Sequence, residues 1–216
     1  MKHLKIAALM LASTALFGCA TSRSVVDVQA PPATSNGKGQ LVAITAVDER
    51  TFELDPRSAD IPSLKYDNDI TVPAITQRAV GRKRNGFGKG LGDVLLPDGK
   101  TVSQLVAKSI AEGYRKAGYQ VVDSVAPGTD TQAVKVHIVE FWSWFSPGAF
   151  SIALNNKSHL TLDVPGAPKP VEVVTNERES IQMATEGQWK AITEQGLQAI
   201  TAATTKALCA DGHCLK

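Results

Sequence analysis

Cys19 is the residue whose neighbours specify a reaction. It closes the run Leu16, Phe17, Gly18, Cys19, which has the order of a bacterial lipobox: an aliphatic residue three positions ahead, a small residue just before, and a thiol. Such a thiol accepts a diacylglyceryl group, the peptide ahead of it is cut, and the new amino terminus takes a further acyl chain such as palmitate. Phe17 is bulkier than the residue usual at its position. Lys2 and Lys5 supply a positive n-region, and residues 6–17 supply the apolar run of a secretory leader. That run falls short of the about 20 apolar residues a membrane-spanning helix needs. Residues 1–18 are therefore read as a removable lipoprotein signal. Ala20, where an acidic residue would argue for inner-membrane retention, sets the expectation of the outer membrane with the domain facing the periplasm.

The remaining thiols are Cys209 and Cys214. In an oxidising periplasm two thiols five positions apart, with Gly212 between them, suit a small disulfide loop. The alternatives are free thiols, or a metal held by Cys209, His213 and Cys214, which leaves a tetrahedral ion one ligand short. His137 and His159 would face each other across a hairpin folded about Gly148, with no third ligand evident, so no metal site is expected. Glu140, Asp163 and Glu172 are carboxylates that a fold could gather, but no serine or cysteine stands in a nucleophile elbow. The expectation is a protein that is not an enzyme and carries no cofactor.

Glycines at 86, 88, 90 and 92, followed by Gly99, Lys100 and Thr101, invite a test for a nucleotide site. The glycine that a phosphate-binding loop needs five residues before Gly99 is replaced by Val94, and the alternating glycines do not match the dinucleotide fingerprint. No nucleotide is expected. Nor does the charge point to nucleic acid. The leader carries two of the 23 basic residues and none of the 21 acidic ones, so the mature chain is formally neutral.

Within that neutral chain, residues 70–92 hold Arg78, Arg82, Lys83, Arg84 and Lys89 and no acid. Read as a mobile electropositive loop, Arg82, Lys83, Arg84, Phe87 and Lys89 would meet an anionic envelope component or an acidic protein face. Read plainly, the same residues make a solvated hairpin with glycines in its turns. The aromatics of 141–150 also carry two readings. They are core residues of a sheet packed on helices, or Trp144, Phe145 and Phe150 form an exposed tip able to seat a partner or dip into lipid.

These residues must be positioned by ordinary elements. Residues 19–39 are rich in Ser, Thr, Pro and Gly without periodicity, and are expected to be a flexible tether. Residues 41–47 read as a strand, and 70–80 as a second one, kept to an edge by Pro73. Thr101 and Gln104 form a capping box opening a helix over 101–117, with Val102, Leu105, Val106, Ile110 and Tyr114 on one side. The strand at 119–123 would then lie parallel to 41–47 across a crossover. Alternation marks further strands from 133, from 150 with an extension to 164, and from 171 to 183. Thr185 and Gln188 cap a last helix bearing Trp189, Ile192, Gly196, Ala199 and Ile200. The expected fold class is α+β, two-layer, with a mixed and mainly antiparallel sheet and two long helices on one face. The organisation would be signal peptide 1–18, tether 19–39 and one α+β domain 40–216.

The lipobox, a first strand running into Val47, Asp48, Glu49 and Arg50, a helix ending in Gly113, Tyr114, Arg115, Lys116, Ala117, Gly118 and Tyr119, and a final helix led by Trp189 together resemble the YajG-type family of bacterial envelope lipoproteins. The basic glycine-rich insertion is similar to that in relatives labelled flagellar biosynthesis proteins. The resemblance implies an outer-membrane lipoprotein and supplies no catalytic residues. The expected function is a lipid-anchored, non-enzymatic binding or assembly module of the cell envelope, attached to the membrane by its lipid and meeting an envelope protein or an anionic component. The alternative is a periplasmic carrier or sensor of an amphiphilic or glycan ligand held between sheet and helices.

Overall fold

The computed structural model describes residues 22–85, 87–148, 151–210 and 214. Residues 1–18, Cys19, Phe150 and His213, named above, lie outside them. The described chain is α+β, with one mixed sheet of eight strands: β1 (Ser24–Val25), β2 (Leu41–Asp48), β3 (Ala79–Arg84), β4 (Gly90–Leu95), β5 (Gln120–Val122), β6 (Thr131–Pro147), β7 (Ile152–Asp163) and β8 (Val171–Ile181). Its helices are the single turn α1 (Pro73–Thr76), α2 (Val102–Lys116) and α3 (Glu186–Ala210).

β6 organises the sheet. One edge pairs antiparallel with β7 from Lys135 opposite Asp163 to Pro147 opposite Ile152, and β8 follows antiparallel. The other edge is shared end to end by two parallel partners, β2 over Thr131 to Ile138 and β3 at Ser143. β5 lies parallel outside β2, as the crossover through α2 requires; β4 is antiparallel to β3, and β1 is parallel to β4. Four of the seven pairings are thus parallel, against the mainly antiparallel sheet expected. Alternation along a strand reports which residues face a core, not which strand lies beside it.

Thr101 caps α2 as its spacing predicts: its Oγ1 accepts from Gln104 N at 3.3 Å, and the Gln104 side chain accepts from Thr101 N at 3.1 Å. Val102, Leu105, Val106, Ile110 and Tyr114 then face the sheet and join Trp189, Ile192, Leu197 and Ile200 of α3 in one core with Val134, Val136, Ile138, Phe141, Leu154, Leu160 and Leu162. The alternation on β6 slips by one residue at a bulge after Ile138, which explains how Ile138 and Phe141 share that face while Val139 is exposed.

The opposite face is partly covered too, so the two-layer expectation does not describe the whole sheet. Residues 49–78 fold over it, and Leu64 joins Ala79, Leu95 and Trp142 in a second, smaller core flanked by Phe52, Ile70, Ile75 and Trp144. Phe52 meets the Trp142 ring edge-on at 5.9 Å. The strand expected at 70–80 is a 3₁₀ turn (Asp67–Thr71) and α1, with β3 starting only at Ala79, because Pro73 pre-sets the first turn of a helix.

Residues 22–39 are not a free tether. β1 adds to the edge of β4, Val26 and Val28 are buried in the main core, Thr34 donates from its N and Oγ1 to the buried Glu112 carboxylate at 2.9 and 2.8 Å, and Gly37 N and Gly39 N bond the carbonyls of Tyr119 and Gly118. Two buried valines and a set of satisfied polar groups offset the ordering entropy that composition alone suggested could not be met.

Candidate functional site

β3 and β4 form a hairpin with Arg82 opposite Asp93, Lys83 opposite Gly92 and Arg84 opposite Gly90. Asn85 builds its turn. Its side-chain oxygen accepts from the N–H groups of Phe87 and Lys89 at 3.0 and 2.9 Å, its carbonyl accepts from Gly88 N at 2.9 Å, and Gly88 takes a φ of 83°, which suits glycine. Phe87 stands on this turn 99% exposed.

The hairpin corrects the expectation of a solvated basic loop. Arg82 and Lys83 are buried, Arg84 is half-buried, and Lys89 alone of the four basic residues is exposed. The reason is the strand. Successive side chains point to opposite faces, so Lys83 turns to the N-terminal segment and donates to Ser24 Oγ at 3.0 Å, while Arg84 turns under the 49–78 cover and donates to Ser63 Oγ at 2.9 Å.

Arg82 is different. It is 8% exposed, its guanidinium lies against Gly90, where a Cβ would overlap it, and its Nε and Nη1 are buried without a hydrogen-bond partner among the described residues. Arg50, also 8% exposed, is the contrast: it bonds both carboxylate oxygens of Asp48 at 2.8 and 2.7 Å and the carbonyls of Ala79, Phe141 and Thr76 at 2.7, 3.0 and 2.9 Å. Arg50 staples the cover segment to the junction of β2, β3 and β6. Nothing comparable satisfies Arg82, and a buried cation without acceptors is costly. Burial, and after it the Arg82 charge, pulls the Arg84 pKa below its ordinary value.

Arg82 lines a shallow groove of about 500 Å³ with Phe87, Lys89, Lys65, Tyr66 and Asp55. Tyr66 is 58% exposed, with the Lys65 ammonium 5.3 Å from its ring centre. The sequence reading missed Tyr66, Lys65 and Asp55. Only tertiary folding of the 49–78 segment brings them to the hairpin, and no local spacing signals it. Gly90 opposite a basic strand position was the one available hint.

The N-terminal segment reaches the same hairpin. A Cβ on Gly92 would overlap the Ser22 carbonyl oxygen, so β4 admits the chain only because Gly92 has no side chain. We predict that Gly92→Val frees β1 from the sheet edge, raising amide exchange at Val26, which donates to Leu95 O at 2.8 Å, by about tenfold, the equivalent of about 1.4 kcal/mol. Unchanged protection would show that the segment docks without needing the glycine.

Of the aromatics, Phe141 and Trp142 are core. Trp144 and Phe145 are half-buried on opposite faces, Trp144 against the smaller core and Phe145 against the main one, so they do not form one exposed tip. Cys209 and Cys214 stand at disulfide distance, their Cα atoms 4.4 Å apart. Lys100 pairs with Asp27 at 2.5 Å, and Thr101 caps its helix.

The polar residues of the outer sheet face form separate pairs. His137 lies opposite Thr161, and His159 opposite Glu140, because the bulge and the turn beyond Pro147 shift the register expected from a hairpin about Gly148. His137 bonds Glu49 at 2.8 Å and Asp163 at 3.0 Å, His159 bonds Glu172 at 2.6 Å, and Glu140 bonds Lys157 at 2.9 Å. The three carboxylates therefore each face a different base and do not converge. The bonds to Glu49 and then Asp163 raise the His137 pKa. A raised folded-state value gives stability present in full below the ordinary value of about 6.5 and lost as pH rises through the raised one. The urea midpoint of wild type relative to His137→Gln should accordingly be higher at about pH 6 than at about pH 8. A difference independent of pH would remove the histidinium from the account.

A second groove, of about 520 Å³, runs outside α2 between residues 29–33 and β5, with Ile44, Leu105, Lys108 and Arg115 among its walls. Its walls come from α2 and from β2 and β5 of the sheet, at the edge of the main core.

No protein-family model matches this chain, and no curated protein matches it. Solved structures do. A Xanthomonas campestris protein of the family termed DUF330 aligns with a TM-score of 0.47 at 13% identity, covering 89% of this chain and 97% of its own. A crystal structure titled only as an uncharacterized protein aligns with a TM-score of 0.47 at 11% identity, covering 85% and 98%. Neither is named as a YajG-type lipoprotein.

Proposed function

We propose that this chain is a lipid-anchored lipoprotein of the bacterial envelope whose folded part is a non-enzymatic binding or assembly module held close to the outer membrane. The observation that carries the reading is the docked N-terminus. Ser22 abuts β4, and Cys19 is three residues ahead of it. Three residues span at most about 11 Å. An acylated Cys19 would therefore hold the β3–β4 end of the domain against the bilayer, where a free tether of the length expected from sequence would have held it about 25 Å away. The lipobox, the leader and the order of parts that resembles YajG-type lipoproteins support the same reading. So does the way Glu140, Asp163 and Glu172 are each taken up by a different base, Lys157, His137 and His159.

Mass spectrometry of the protein isolated from a bacterial host tests it. The expected product begins at Cys19 and carries the mass of a diacylglyceryl group and an amide-linked acyl chain. Cys19→Ser should move the protein from the membrane to the soluble envelope fraction. An unmodified Cys19 in membrane-derived protein overturns the reading.

A further inference from the structure

We propose that the groove under the β3–β4 hairpin is a binding site for the phosphate headgroup of an anionic membrane lipid, with Arg82 as its cationic ligand and Phe87 entering the acyl region beside it. The proposal takes its orientation from the lipid anchor argued above. It goes further by naming a second contact with the bilayer and the residues that make it.

Three independent observations meet at this place. The first is the unsatisfied guanidinium. Arg82 is more than nine-tenths buried, lines the groove beside Gly90, and has two enclosed nitrogens, Nε and Nη1, without acceptors among the described residues, whereas the equally buried Arg50 has every direction filled. A guanidinium fork matches the oxygens of a phosphate. The second is the aromatic edge. Phe87 is held almost fully in solvent by a turn in which Asn85 accepts from the N–H groups of Phe87, Gly88 and Lys89, and Tyr66 flanks the same groove. Aromatic rings beside basic side chains suit the boundary between headgroups and acyl chains. The third is direction. β1 runs parallel to β4 with Ser24 opposite Val94, and Ser22, the first described residue, lies against Gly92, toward the end of β4 that begins at Gly90 beside Lys89. An acyl chain on Cys19, three residues ahead of Ser22, would then be within reach of the end of the molecule that carries Phe87.

Charge complements the assignment. Lys65, Arg82 and Lys89 against Asp55 leave the groove at +2 on a chain that is formally neutral beyond its leader. Anionic lipid surfaces attract such a patch.

The test uses the mature chain, residues 19–216, carrying Cys19→Ser so that no acyl chain contributes, in co-sedimentation with vesicles of phosphatidylcholine or of phosphatidylglycerol. Binding to the phosphatidylglycerol vesicles and weak binding to phosphatidylcholine is the expected result. Arg82→Gln should weaken the former about fivefold, and Phe87→Ser about tenfold. Circular dichroism and thermal melting establish that each variant is folded, and Arg82→Lys, which keeps the charge, should retain part of the binding if Arg82→Gln does not fold. Millimolar inorganic phosphate should leave vesicle binding largely intact, since it offers no acyl region to Phe87. Displacement by free phosphate would overturn the lipid in favour of a soluble phosphate ligand. Equal binding to both vesicles, no binding to either, or undiminished binding by both variants would each overturn the proposal. Because the assayed chain cannot be acylated, these outcomes stand apart from the fate of Cys19, which mass spectrometry decides.

Discussion

Arg50→Ala is expected to destabilise the folded protein by about 3–5 kcal/mol, the range for breaking a buried ion pair by removing one partner. The side chain closes the junction of β2, β3 and β6. It is bidentate to Asp48 and also serves the carbonyls of Ala79 on β3, Phe141 on β6 and Thr76 at the end of α1. Alanine leaves the Asp48 carboxylate, which is mostly buried, and three carbonyls short of donors at once. Arg50→Lys should recover only part of the loss, because a single ammonium cannot reproduce the planar fork. Urea unfolding measures both variants. A loss under about 1 kcal/mol for alanine would mean that water replaces the guanidinium without cost, against the burial seen here.

The second large effect is expected at Trp142. Trp142→Ala should cost about 3–5 kcal/mol, the range for deleting a large buried aromatic. It should also loosen the cover segment selectively. The indole donates to Ala59 O at 3.3 Å, meets Phe52 edge-on and sits with Leu64 and Leu95, so it is the main apolar tie between residues 49–78 and the sheet. Limited proteolysis should find new cleavage in that segment before the helices open. If cleavage appeared everywhere at the same rate, the smaller core would not be an independent layer. Both substitutions also bear on the groove, since the cover segment carries Tyr66 and Lys65 to the hairpin.

Much of the secondary structure was legible because its signals are local. Thr101 and Gln104 satisfy each other's turn at a spacing of three residues, Val134, Val136 and Ile138 alternate along one strand, and both long helices begin at the residues their capping patterns mark. The strand at 119–123 followed from the short connection after α2. The candidate site was less legible. A count of basic side chains between Asp69 and Asp93 predicts a positive surface, yet burial on alternate faces of β3 takes most of Arg82 and Lys83 out of solvent. Which buried arginine is satisfied and which is not depends on carbonyls and carboxylates far away in the chain.

By itself the sequence determined the capped helices, the alternating strands and the close spacing of Cys209 and Cys214, all of which depend on residues within a few positions of one another. The tertiary structure decided that β2 and β3 share one edge of β6, that residues 22–39 lie on the domain, and that Arg50 is satisfied where Arg82 is not. Those outcomes turn on contacts between segments tens of residues apart, where the free energy of burial depends on what arrives from elsewhere, and no local pattern carries that information.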